Sequence, residues 1–222
     1  MTDQTPLREE REQVGDLGRE MLAQELTQGT GGNVSVRNGN RFAVSPSGVP
    51  YEEVSEDIVP VTDLNGERIA GKLKPSNETP MHALVYQKRP DVRSVIHTHS
   101  PYASTFASLN EPIPASHYLI AYAGTKIPVC DYALPGTEEL GRMAAETLDD
   151  DQNAILLKNH GVIAVGETGD DALNVAMMVE FCARIHYQAR TIGEPEILSD
   201  ETVNDLQRMF NKSYGQGNEE KY

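Results

Sequence analysis

The feature that most constrains the fold is a pair of short runs closed by a turn that leaves no room for anything else. Val34 and Val36 alternate with polar neighbours, and Arg37 leads into Asn38-Gly39 before the run 41–44. An Asn-Gly pair between two such runs marks a tight β-hairpin, because the favoured turn needs positive φ at both central residues. The chain therefore contains β-sheet.

Helical patterns surround that hairpin. Val14, Leu17, Met21 and Leu22 share one helical face, predicting a helix up to about residue 28, where Gly29, Thr30, Gly31, Gly32 and Asn33 break it. Thr79 ahead of Pro80 and the run 81–88 reads as a capped helix start, placing Glu78 just outside it. The stretch 94–99 reads as a short strand, Ser100-Pro101 as the start of a short helix or turn, 127–130 as a strand and 138–148 as a helix. Two more strands, 154–157 and 162–165, flank the polar break Lys158-Asn159-His160-Gly161. Thr168 and Asp171 have capping-box spacing before a long apolar helix to about Ala189, and Ser199 can cap a last one. Turns are also expected at 45–49 and at Asn65-Gly66, and a polar tail from Gly215.

With 222 residues, 38% of them hydrophobic, the chain can bury one substantial core, so a single domain over 1–222 is expected. Nineteen basic residues against thirty-four acidic ones leave a net charge of −15, which argues against nonspecific binding to nucleic acid or anionic membrane. So acidic a surface suggests a salt-rich cytoplasm, that is, a halophilic protein. The two cysteines, Cys130 and Cys182, provide no extracellular disulfide framework. Residues 2–12 lack the apolar core of an export signal, and no apolar run approaches the roughly twenty residues of a membrane span. A soluble cytoplasmic protein is the expectation.

His97 and His99 lie two apart in a predicted strand, so both imidazoles emerge on one sheet face. His160, in the break between two strand-like runs, can reach the same place. Any one of these histidines alone is compatible with an ordinary surface or hydrogen-bonded core position. Together, three neutral imidazoles with an open position suit a catalytic zinc ion that polarises a carbonyl and stabilises an enediolate. Glu78, at a loop-to-helix junction, is the candidate proton-transfer group, although a helix start also favours an ordinary surface carboxylate. His82, His117 and His186 carry no independent sign of ligation, and His82 reads as an ordinary helix-face residue. The turn at 30–33, Ser47-Gly48 and Ser76-Asn77 can cradle a phosphate with backbone amides, hydroxyls and a side-chain amide, or can be plain surface turns. Neither a P-loop nor a dinucleotide fingerprint is present.

The segments 30–37, 45–48, 74–78, 97–100 and 158–161, in this order, resemble the class II aldolase and adducin-head family over about residues 10–215. The pattern is most similar to the family's L-fuculose 1-phosphate aldolases, with support from His117-Tyr118-Leu119-Ile120 and Lys212-Ser213-Tyr214-Gly215. The resemblance implies a three-layer α/β/α protomer with a central, mainly antiparallel sheet, assembled as a homotetramer with sites at subunit boundaries. It implies zinc ligation by His97, His99 and His160, with Glu78 as acid/base and displaceable ligand. By the same likeness Gly32, Asn33, Ser47, Gly48, Ser76 and Asn77 bind phosphate, Tyr118 assists proton transfer at the aldehyde oxygen, and Tyr214 closes over the substrate within a C-terminal lid, 211–222. Gly31 and Asn77 depart from the pattern, each standing where serine is usual.

The implied substrate is a small phosphorylated sugar, cleaved reversibly to dihydroxyacetone phosphate and L-lactaldehyde. The context 71–80 also resembles pentulose-5-phosphate 4-epimerases, but these usually carry aspartate at the Glu78 position. A non-catalytic adducin-head-like binding module is a further alternative, against which stands the presence of all three histidines.

Overall fold

Short apolar strands alternating between two buried faces, with amphipathic helices between them, produce a sheet covered on both sides. The computed structural model describes residues 6–213, the side chains of 211–213 excepted. In chain order the elements are α1 (Arg8–Ala23), β1 (Asn33–Asn38), β2 (Arg41–Val44), β3 (Val61–Asp63), β4 (Arg68–Ala70), α2 (Thr79–Lys88) and β5 (Ser94–Thr98). There follow α3 (Pro101–Leu109), β6 (Val129–Cys130), α4 (Glu138–Thr147), β7 (Ala154–Leu157), β8 (Gly161–Gly166), α5 (Gly169–Ile192) and α6 (Asp200–Ser213). Single 3-10 turns lie at Tyr51–Glu53 and Tyr118–Tyr122.

The eight strands form one sheet in the order β4-β3-β2-β1-β5-β8-β7-β6, antiparallel throughout except for the parallel pair β6 and β7. Successive residues of one strand enter different cores. Ile96 joins Val34, Val36, Ala164 and Val162 on the face covered by α1, α3 and α5, whereas Val95 joins Ile163 and Val165 on the face covered by α2 and α4. This is the expected three-layer α/β arrangement. Asn33 pairs with His97 and Ser35 with Val95, so these two polar residues of β1 look toward α2. One end of the sheet on that face thereby becomes polar.

The hairpin closes as expected, with Asn38 opposite Arg41. Three boundaries differ. The first helix stops at Ala23, not near residue 28, because Glu25 turns left-handed (φ 57°) and the Leu26 N–H returns to the Met21 carbonyl at 2.9 Å. At α2 the N-cap is Glu78 itself and not Thr79, whose hydroxyl donates to the Ser76 carbonyl at 2.7 Å. Ile127 is diverted from the sheet into a two-bond bridge with Ile113, leaving only Val129 and Cys130 to pair with β7. The predicted caps at Thr168 and Ser199 are present, each hydroxyl accepting a backbone N–H three residues on.

Candidate active site

The three histidines meet at the end of β5. His97 is its penultimate residue, His99 lies just beyond, and His160 occupies the turn between β7 and β8. That turn is tight because Asn159, a residue that tolerates the left-handed region, sits at φ 55°. Gly161 completes the approach: a Cβ there would lie 2.2 Å from the Thr98 carbonyl and about 3 Å from both the His97 and His99 rings. The ring centroids are 4.7 to 5.3 Å apart, and one ligand atom from each histidine falls within 4.8 Å of the others. Exposure rises from His97, fully buried, through His160 to His99, so the cluster opens to one side.

Glu78 reaches the same point from the N-terminus of α2. Its Oε2 is 3.2 Å from His97 Nε2, and its Oε1 is 3.5 Å from His160 Nε2. The hydrogen-bond pattern decides what this closeness means. His97 Nδ1 stands 2.9 Å from the Val162 carbonyl, which can only accept, so Nδ1 carries the proton and Nε2 presents a lone pair. That lone pair faces both the Glu78 carboxylate and His99 Nε2, the latter at 3.0 Å. Glu78 Oε1 and His160 Nδ1 are buried without a hydrogen-bond partner. Electron-rich atoms converge on one small volume, an arrangement that a cation relieves. The residues therefore fit a divalent metal held by His97, His99 and His160, with Glu78 beside it.

The electrostatics agree. Burial drives the His97 pKa down to about 3, against the pull of Glu78, so this ring is neutral and able to ligate near pH 7. Burial also lowers that of His99, with His160 adding to the effect. At Glu78 burial raises the carboxyl, but His97, His160 and the Asn33 amide together outweigh it and hold the group below the ordinary carboxylate value.

Beyond the imidazoles the cluster opens into a cavity of about 320 Å³. All six phosphate candidates, Gly32, Asn33, Ser47, Gly48, Ser76 and Asn77, line it, together with Glu78, His99 and His160. The loops are stitched to each other. Ser47 N–H bonds the Lys74 carbonyl, Ser76 N–H the Ser45 carbonyl, and Glu78 N–H the Ser76 hydroxyl oxygen. The expected cradle of exposed amides is narrower as a result, because the Ser47 and Ser76 amides are committed to backbone carbonyls. The Asn33 side chain is likewise turned away from the turns, donating to Glu78 Oε2 at 2.8 Å.

Two expected participants are not brought to this cavity. Tyr118, 42% exposed, packs against His117 and Phe210 and does not line it. Tyr214, and with it most of the expected lid 211–222, lies outside the described residues. Sequence reasoning missed Pro135 and Gly136, which wall the cavity, and His82, which is fully buried and bonds Asn33. The four-residue spacing from Glu78 to His82 was the available signal.

The family model for the class II aldolase and adducin N-terminal domain matches residues 12–187. The chain belongs to that family. It is 43% identical over 212 residues to the 5-deoxy-D-ribulose 1-phosphate aldolase of Bacillus thuringiensis serovar kurstaki, covering 95% of this chain and 99% of that protein. It is 40% identical over 205 residues to the L-fuculose phosphate aldolase of Escherichia coli strain K12, covering 91% and 94%. A solved L-fuculose 1-phosphate aldolase superposes with a TM-score of 0.90 at 37% identity, covering 94% of this chain and 99% of the other. The eight-stranded sheet flanked by helices is thus the class II aldolase fold.

Proposed function

We propose that this protein is a zinc-dependent aldolase that reversibly cleaves a ketose 1-phosphate ending in a methyl group into dihydroxyacetone phosphate and a short aldehyde. One observation carries the reading: a carboxylate and three imidazoles share one point beside a cavity that is also lined by hydroxyl- and amide-bearing turns. When bound, a divalent cation at His97, His99 and His160 supplies Lewis-acid polarisation of the ketose carbonyl. In the synthetic direction Glu78 takes a proton from the hydroxymethyl carbon of dihydroxyacetone phosphate. That carbon then attacks the aldehyde, and Tyr118 delivers a proton to the developing alkoxide. Cleavage runs the same steps backward, with the proton returning from Glu78 to carbon. Ser47, Ser76 and Asn77 hold the phosphate, and the absence of Lys and Arg from the described lining leaves the cation as the main positive charge facing the dianion.

L-Fuculose 1-phosphate, yielding L-lactaldehyde, and 5-deoxyribulose 1-phosphate, yielding acetaldehyde, are the two candidate substrates supported by the relatives' names. Tyr118 does not line the cavity of its own chain, and this supports supply of the residue by a neighbouring copy in a homotetramer. The exposed aromatic groups Phe181 and Tyr187 on α5 support the same assembly. Tyr214 is assigned to substrate closure, the chain to one domain, and its location to the cytoplasm. No helix among the described residues is long and apolar enough to cross a membrane.

The test is a coupled assay for dihydroxyacetone phosphate with both substrates, run on metal-stripped and zinc-restored protein. Release of the phosphate fragment should vanish on stripping and return with zinc. Unchanged turnover in metal-free protein, or an epimeric product without fragmentation, overturns the proposal.

A further inference from the structure

Beneath the carboxylate a line of side chains runs into the protein. Asn33 and Ser35 project from β1 toward α2, two residues apart. Glu78, His82 and Tyr86 project from α2 toward β1 at intervals of four. The two periodicities interlock. Asn33 Nδ2 bonds Glu78 Oε2, Asn33 Oδ1 bonds His82 Nε2, His82 Nδ1 lies 2.6 Å from Ser35 Oγ, and Ser35 Oγ lies 2.7 Å from the Tyr86 hydroxyl. Ser35 and His82 are fully buried, and Asn33 and Tyr86 nearly so.

Chemistry fixes the direction of every bond once Glu78 is a carboxylate. A carboxylate only accepts, so Asn33 must present its NH₂ to Glu78 and its carbonyl to His82. The carbonyl only accepts, so His82 must carry its proton on Nε2. Burial holds the His82 pKa down at about 4, so the ring is neutral at pH 7 and its Nδ1 is bare. Nδ1 then accepts from the Ser35 hydroxyl, which in turn accepts from Tyr86. The donor sequence is Tyr86 to Ser35 to His82 to Asn33 to Glu78. With the opposite tautomer, His82 Nε2 and Asn33 Oδ1 would be two acceptors in contact, and the amide would be driven to turn its carbonyl toward the carboxylate.

We propose that His82 is a positioning residue for the carbon-centred proton transfer: in its Nε2–H tautomer it locks the Asn33 amide, which in turn aims Glu78 Oε2 at the reacting carbon. This rests on the acid/base reading of Glu78. His82 touches neither the cavity nor the three imidazole nitrogens, so its effect should fall on kcat and not on substrate affinity.

The test combines spectroscopy and kinetics. In metal-free protein with ¹⁵N-labelled histidine, the ring signals lost in His82→Gln identify His82, and they should report Nε2–H with bare Nδ1 at pH 7. A ring protonated on Nδ1, or on both nitrogens, overturns the proposal. For the zinc-loaded enzyme, His82→Leu removes the donor and should lower kcat by about 10- to 100-fold with KM within about twofold. His82→Gln can place an amide N–H where Nε2–H was, and should recover kcat to within about threefold of wild type. Equal losses in folded His82→Leu and His82→Gln, or a KM effect alone, overturn it. Should His82→Leu fail to fold, His82→Gln and the tautomer still decide. Glu78→Gln separates the two readings. Near-wild-type activity there removes the acid/base role, whereas an inactive Glu78→Gln beside a fully active His82→Leu removes only the positioning role.

Discussion

Two ways of holding a side chain meet in this cavity: His97 and Glu78 are fixed by β5 and by the start of α2, whereas the groups proposed for phosphate belong to turns. His97 is locked by β5 and by its bond to Val162, and Glu78 by the first turn of α2 and by Asn33. The turns at 45–48 and 74–78 are held instead by backbone bonds to each other, the turn at 30–33 by the Gly31 N–H to the Gln28 carbonyl, and Gly32 and Gly48 take φ values of 67° and 70°. The imidazole end depends on which functional groups are present, since its nitrogens and carboxylate oxygens converge on one point. The turn end depends on backbone shape, and several hydroxyl or amide groups serve equally at a given corner. This is why Asn77 in place of serine is compatible with an intact cavity, whereas Gly31 answers to space, because a Cβ there would lie 2.9 Å from His99 Nδ1.

The largest effect that sharpens this contrast is expected at the imidazole end. His99 is exposed and its replacement by Ala should leave the fold intact. Loss of a ligand that supports several kcal/mol of Lewis-acid stabilisation corresponds to a fall in kcat of roughly 10³-fold. Dihydroxyacetone phosphate release and bound-metal content, measured together, check it. Full activity with full metal content would dissolve the distinction between the two ends.

The turn end should break through its backbone. A Cβ on Gly32 would lie 2.5 Å from the His97 carbonyl, whereas a Cβ on Gly48 would meet nothing within 4 Å. Both substitutions bear the left-handed penalty, but only the first adds a clash with main chain. Gly32→Ala should cost roughly 2–5 kcal/mol and Gly48→Ala about 1–2 kcal/mol by denaturant unfolding. Equal costs would show that space around the turn is not what selects glycine.

These halves were unequally legible in the sequence. The His97-Thr98-His99 spacing predicted a shared face, which the two rings have although His99 lies one residue past β5, and the Asn38-Gly39 hairpin closed as its turn chemistry required. That His160 converges on the pair depends on β8 pairing with β5, between residues as far apart in sequence as Ser94 and Gly166, which no local pattern encodes. His82 was passed over because helical position tells which face a residue occupies and not what the opposing strand presents to it. The early end of α1 was hidden for a related reason: nothing about Glu25 marks a left-handed residue, and the bond from Leu26 to Met21 imposes it. Tyr118 was legible as a motif, but its packing against His117 and Phe210 outside the lining of the cavity was not.

The smallest expected effect separates both ends from the surface around them. The metal-binding atoms are mostly buried and weakly screened, whereas the net charge of −15 resides on a chain whose described ion pairs, such as Arg142 with Glu146 at 2.8 Å and Arg190 with Glu111 at 2.5 Å, are largely exposed. Exposed pairs of this kind contribute only about 0–1 kcal/mol each, so they do little to offset the mutual repulsion of the acidic groups. Raising salt from about 0.1 M to 1 M shortens the Debye length from roughly 10 Å to 3 Å, which relieves that repulsion in the folded state. If the acidic surface is an adaptation to salt, the melting temperature should rise by a few degrees over this range while kcat of the zinc-loaded enzyme changes less than about twofold. Melting curves and progress curves in a potassium chloride series measure both. A melting temperature that falls with salt would remove the halophilic reading and leave the site untouched, because His97, His160 and the Glu78 carboxylate are covered by protein.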